Sequence, residues 1–273
     1  MGKSIMLTSF KGGVGKSTVA VNISAGLAIL GHRVLIVDLD PSSGSVDLFM
    51  GCENDTLYNF CDVAEKMTAI EDAVYLKKSE AKTKDAPSVS LGVLKAPPSY
   101  DDMGVSYDEA VAEFIGAAND LYDFIIFDCP SGKFALLEAL AKKADYVFAV
   151  TMHSAVSIRS AERLASFLSE NDVKSERARL IINGFNPKSV AKGLNLGTVD
   201  IIERSKIKLI GLLEINEQIR DLQEEGKTVY DAVNKKLRQP FDDIVGRILD
   251  SNIILSRKYA GYRTSKLYFK NGK

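Results

Sequence analysis

The sequence predicts an α/β fold: a single three-layer domain with a mostly parallel, twisted central sheet flanked by helices. Three observations predict it. Short apolar runs alternate with helix-length stretches along the chain. The runs are continuously apolar, as strands covered on both faces must be. No internal repeat or low-complexity linker divides the 273 residues. One domain over residues 1–250 with a tail over 251–273 is the simplest division.

In chain order, the apolar runs fall at 5–7, 34–37, 89–94, 124–127, 146–150, 180–182 and 209–213. The helix-like stretches between them cover roughly 18–30, 106–121, 134–143, 155–170, 197–205 and 216–225, with a last helix over 229–250. Parallel strands joined by helices require crossovers, and these should be right-handed. The polar stretch 77–88, rich in Lys, Ala, Asp and Ser, reads as an exposed loop before the third strand.

Composition narrows the function classes. With 46% hydrophobic and 26% charged residues the chain can bury a sizeable core, which argues against a disordered, fibrous or disulfide-stapled protein. Net charge is −1, but residues 257–273 hold six basic and no acidic side chains, leaving −7 on residues 1–256. An acidic body disfavours DNA binding over the whole surface, whereas the basic tail suits an anionic surface. Cys52, Cys61 and Cys129 have no metal-ligand spacing, and with His32 and His153 as the only histidines they read as reduced thiols. No apolar stretch reaches the length of a membrane span, and the first residues do not read as a secretory signal.

The sharpest motif is Phe10-Lys11-Gly12-Gly13-Val14-Gly15-Lys16-Ser17-Thr18, between a strand at 4–9 and a helix. Glycines let consecutive backbone N–H groups turn inward around an anion, and the helix N-terminus points at the same place. Lys16 can reach β- and γ-phosphates, and the Ser17 hydroxyl can ligate Mg²⁺. Position 10, where the usual phosphate loop has glycine, is Phe, and a second lysine, Lys11, stands at the loop mouth.

In this the sequence resembles the deviant-Walker-A P-loop ATPases of the MinD/ParA family. The resemblance implies that Lys11 reaches the partner's phosphates in an ATP-bound homodimer, tying hydrolysis to dimerisation. It makes Asp40, in Val37-Asp38-Leu39-Asp40-Pro41, the carboxylate that positions the attacking water, with Asp38 supporting Mg²⁺ through water. It makes Asp128, after the apolar run Phe124–Phe127, the Walker B carboxylate, and the following Pro130-Ser131-Gly132 a γ-phosphate-sensing switch. Adenine recognition falls to Asn183 and to the segment 213–217 containing Asn216, where Glu214 replaces a usual proline. No Asn-Lys-x-Asp sequence is present to read guanine, which favours ATP.

Segments 46–53, 185–190 and 208–211 resemble the MinD, septum-positioning branch. The expectation is a slow, partner-stimulated ATP hydrolase with ATP and Mg²⁺, an activator and an effector protein, and a cytoplasmic location reaching the inner face of the cell membrane. The alternatives are a ParA-type partitioning ATPase or a flagellum- or pilus-positioning relative. A ligase or nitrogenase-type reductase is a more distant alternative, and the cysteine placement speaks against the reductase. The tail has the basic and aromatic composition of an interfacial anchor. Its helical pattern is poor: Arg263, Lys266 and Lys270 fall among Tyr259, Tyr262 and Phe269, and Gly261 interrupts it.

Overall fold

The computed structural model describes residues 2–55, 57–78, 90–101, 103–251 and 253. Among these, eight strands form one sheet: β1 (Lys3–Ser9), β2 (Val34–Asp38), β3 (Tyr75–Lys78), β4 (Ser90–Leu94), β5 (Phe124–Ser131), β6 (Tyr146–Thr151), β7 (Ala178–Phe185) and β8 (Lys208–Glu214). Their order is β3-β4-β2-β5-β1-β6-β7-β8, all parallel except β3, which runs antiparallel to β4. The longer helices are α1 (Lys16–Ile29), α5 (Tyr107–Leu121), α6 (Ala135–Lys143), α7 (Ala155–Glu170), α9 (Thr198–Ser205), α10 (Glu217–Glu224) and α11 (Gln239–Ile248). Among the described residues, four short helices complete the set: α2 (Val46–Met50), α3 (Phe60–Ala64), α4 (Ile70–Ala73) and α8 (Pro187–Ala191).

The continuous apolar runs have a direct explanation. Side chains alternate across a strand, and both faces are covered. Ile5, Val34, Ile36 and Ile126 pack on the face of α1 and α11, with Val19, Ile23 and Ile244. Met6, Leu35, Val37 and Ile125 pack on the face of α5, α6 and α7, with Phe114, Leu137 and Ile158. The register positions the site: Asp38 lies opposite Asp128 across β2 and β5, and the β1–β5 ladder shifts between Leu7 and Ser9, bringing Ser9 beside Ser131.

Two expectations are corrected. The last helix does not run over 229–250; α11 covers Gln239–Ile248, preceded by a 3-10 turn at Lys235–Leu237. Pro240 lacks an N–H and can only open a helix there. Upstream, Thr228 N–H and its hydroxyl both donate to Asp231, closing a turn in place of a helical one. The stretch 77–88 is not wholly loop, since Lys77 and Lys78 end β3; residues 79–89 lie outside the described residues.

Candidate functional site

The phosphate loop is built by the end of β1 and the start of α1. Ser9 Oγ donates to the Lys11 carbonyl at 2.8 Å, which turns the chain as the strand ends. Gly13 (φ 70°) and Gly15 (φ 85°) are left-handed, a backbone that glycine adopts without steric penalty. Gly15 is also pressed from outside: a Cβ there would stand 2.2 Å from Asn183 Nδ2. The Asn183 amide donates to the Val14 carbonyl at 2.9 Å, so β7 braces the loop from the side. Gly12 and Gly13 are exposed while Val14 is buried, so the loop is anchored beneath and open above.

Lys16 opens α1 and is only 7% exposed. Its Nζ donates to Ser131 Oγ at 2.6 Å, across the loop to the tip of β5. Ser17 and Thr18 are half-buried. Thr18 is clasped by Gln223 of α10 through two hydrogen bonds of 3.2 and 3.0 Å. The sequence reading missed this clasp, because the partners lie 205 positions apart and a helical glutamine carries no local signal.

Two carboxylates lie beneath the loop in different states. Asp38 is buried but satisfied, accepting from Asp40 N–H (2.9 Å) and Val46 N–H (3.0 Å). Asp128 is buried, and neither of its oxygens has a hydrogen-bond partner. Burial raises the pKa of both; charge repulsion from Asp38 and Asp40 raises Asp128 further, and repulsion from Asp40 and Asp47 raises Asp38 further. The Ser17 hydroxyl and the Lys16 ammonium pull Asp128 the other way without a bond of ordinary geometry. Asp40 sits half-exposed at the rim, its Oδ1 accepting from Ser42 N–H at 3.0 Å.

A buried carboxylate with no donor, beside a serine hydroxyl and an anion-binding loop, is what a hydrated Mg²⁺ requires. Among the described residues no three His, Cys, Asp or Glu side chains gather as a metal cage. Magnesium at a phosphate site needs none, since water and substrate oxygens fill most of its positions. The residues present fit the ion.

The remaining expected residues lie around this centre. Lys11 is half-buried at the loop mouth, and no ion pair among the described residues involves it. Asn216 is exposed as the N-cap of α10, its Oδ1 accepting from Gln218 N–H at 3.0 Å. Cys129, next to Asp128, is fully buried and its thiol is pushed well up by burial, so it is not a nucleophile.

A family model described as an AAA domain matches residues 2–181, well over half of the chain. The chain belongs to the ParA/MinD family of P-loop ATPases. As a member of it, the protein is an ATP hydrolase that uses ATP and Mg²⁺. Septum site-determining protein MinD of Bacillus subtilis (strain 168) is 28% identical over 255 residues, spanning 93% of this chain and 92% of the relative. The MinC:MinD cell division protein complex of Aquifex aeolicus matches with a TM-score of 0.79 at 29% identity, covering 93% of this chain and 98% of that one. Septum site-determining protein MinD of Pyrococcus horikoshii OT3, complexed with Mg-ADP, shares the fold with a TM-score of 0.73 at 20% identity, over 91% of this chain and 96% of that one.

Proposed function

We propose that this ParA/MinD-family ATPase is a division-site positioning switch: ATP joins two copies, the pair recruits partners at the membrane, and hydrolysis releases it. The observation that carries the reading is the pair of lysines. Lys16 is inside the loop, held by Ser131. Lys11 stands at the mouth, with no acidic side chain paired to it among the described residues. A cation so placed suits the phosphates of a second copy, where it would offset charge developing on the transferred phosphoryl group. The relatives named MinD, one of them in complex with MinC, support the division-site reading and a regulatory protein partner.

In this reading the N–H groups of Gly12, Gly13, Val14 and Gly15 hold the phosphates, and Lys16 exchanges the Ser131 hydroxyl for phosphate oxygens. Ser131, so freed, becomes the group through which the tip of β5 responds to the γ-phosphate. Asp40 orients the attacking water at the rim. Ser17, Asp38 and Asp128 hold Mg²⁺, the last two through water; when bound, the ion supplies positive charge against the phosphate oxygens. Asn183 and Asn216 flank the base. The basic tail would attach the pair to an anionic membrane, two copies binding far more tightly than one through raised effective concentration.

Light scattering with ATP tests the central claim. The wild type should double in mass with ATP and not with ADP, and Lys11→Ala should bind ATP but stay monomeric. A Lys11→Ala protein that pairs and hydrolyses normally would remove the proposed role of Lys11. In its own cell, loss of the protein should misplace septa; normal septa with lost plasmids or misplaced flagella would reassign the branch.

A further inference from the structure

Two helices leave the nucleotide site separately and meet again outside it. α2 begins at Val46, whose N–H donates to Asp38 Oδ2 at 3.0 Å, so its first turn is fastened to a strand-tip carboxylate. α10 begins after Asn216, and its Gln223 is clasped to Thr18. Both end in a left-handed glycine, Gly51 (φ 64°) and Gly226 (φ 65°). The two glycines lie backbone to backbone. A Cβ on Gly226 would fall 2.6 Å from Gly51 Cα, and one on Gly51 would fall 3.0 Å from the Gly226 carbonyl.

Lys77 of the edge strand β3 closes this meeting point. Its Nζ donates to the Met50 carbonyl and, at 3.3 Å, to the Gly226 carbonyl. The Met50 carbonyl is at the C-terminus of α2, where carbonyls lack intrahelical partners, and the Gly226 carbonyl lies two residues past α10, at the negative end of its dipole. None of the ion pairs among the described residues involves Lys77, so its charge is committed to the two helix ends.

We propose that Lys77 is a positioning residue for nucleotide binding, clamping the ends of α2 and α10 and thereby setting Asp38 against Thr18 and Asn216. α2 is fastened to the site at its start and to α10 beyond its end, while α10 is fastened to the site through Gln223 in its last turn, three residues before the same glycine contact. A displacement of the loop 38–46 therefore reaches the base-side helix through the Gly51–Gly226 contact. The inference rests on the phosphate-loop reading of the site.

The test uses the full chain, a fluorescent ATP analogue and steady-state hydrolysis with Mg²⁺. Lys77→Met keeps the aliphatic stem and removes the cation. It should raise the KM for ATP about fivefold and change kcat by less than about twofold. Lys77→Arg, which can still donate to both carbonyls, should recover at least half of the loss. Gly226→Ala, which pushes the helix ends apart by a separate route, should raise KM in the same direction. The double variant should be no worse than the worse single one, because both break one contact. A Lys77→Met protein with unchanged KM, or a Lys77→Arg protein as impaired as Lys77→Met, would overturn the proposal. Should Lys77→Met not fold, an unchanged KM in Gly226→Ala overturns it equally. Lys16→Ala in the same assay separates the two readings: retained ATP binding there defeats the phosphate-loop reading, while its loss beside a normal Lys77→Met defeats only this one.

Discussion

At the scale of single residues, Asp128 is the side chain most at odds with its surroundings. It is a carboxylate buried at 1% exposure with no hydrogen-bond donor, opposite a second buried carboxylate in the strand register. Such a group destabilises the empty protein until a cation arrives. Asp128→Asn should therefore raise the melting temperature of the nucleotide-free protein by a few degrees, about 1–2 kcal/mol, while weakening Mg²⁺-dependent ATP binding. The pH dependence has a definite sign. Burial raises the pKa values of Asp38 and Asp128, so the folded state favours their protonated forms. That stabilising preference is complete below the ordinary carboxylate range and is lost as pH rises toward neutrality. Thermal melts of the nucleotide-free wild type should decline over that window, and Asp128→Asn should flatten the decline. A variant that melts lower at every pH would show that the carboxylate has a partner in the empty state.

At the scale of elements, the loop and its brace make a sharper prediction than the loop alone. Gly13 and Gly15 have similar left-handed backbones, but their surroundings differ. A Cβ on Gly13 meets nothing within 4 Å, whereas one on Gly15 meets Asn183 Nδ2 at 2.2 Å. Gly13→Ala should cost the nucleotide-free protein only the left-handed strain, about 1 kcal/mol. Gly15→Ala should cost more and should break the Asn183–Val14 hydrogen bond, which chemical denaturation of the two variants compares directly. The loop itself was legible in the sequence because its chemistry is local: glycines, lysine and serine in register between strand and helix. So were β2 and β5, whose residues face apolar layers on both sides. The edge strand β3 was not, because Tyr75-Leu76-Lys77-Lys78 is half polar and pairs on one side only. The last helix was read too long because Val229 and Tyr230 are buried and apolar, yet they sit in a turn closed by Asp231. Gln223 and Lys77 were silent for another reason. Their partners, Thr18 and Gly226, lie 205 and 149 positions away, and spacing along a chain says nothing about such meetings.

At the scale of the whole molecule, the described chain ends on a fastening. Arg247 of α11 is 3% exposed and donates from Nη1 to the Ile210 carbonyl and from Nε to the Ile253 carbonyl. It thus ties β8, α11 and the start of the tail together. Removing residues 257–273 leaves that fastening whole, so the shortened protein should melt within about a degree or two of the full chain and bind ATP normally. It should lose ATP-dependent pelleting with anionic vesicles, since six positive charges each contribute up to about 1 kcal/mol at such a surface. Cutting before Ile253 instead should lower the melting temperature, by removing an acceptor of the buried Arg247. Equal pelleting of full-length and shortened protein would remove the tail from the membrane account.

The place of β1 in the sheet has a consequence for the protein's birth. β1 is held between β5 and β6, with Lys3 opposite Phe124 and Ile5 opposite Tyr146. A ribosome makes β1 early and its two neighbours more than a hundred residues later. At ordinary elongation rates the segment Ile5–Leu7 waits roughly ten seconds or more for partners, apolar on both faces. Loop closure over that distance must come before the central ladder can reward it. Ribosome-stalled chains that expose fewer than the first 150 residues should therefore be digested readily by protease and held by chaperones. Resistance should arrive in one step once β6 has emerged, and chains protected before that length would mean that β2 and β4 can shelter an incomplete sheet.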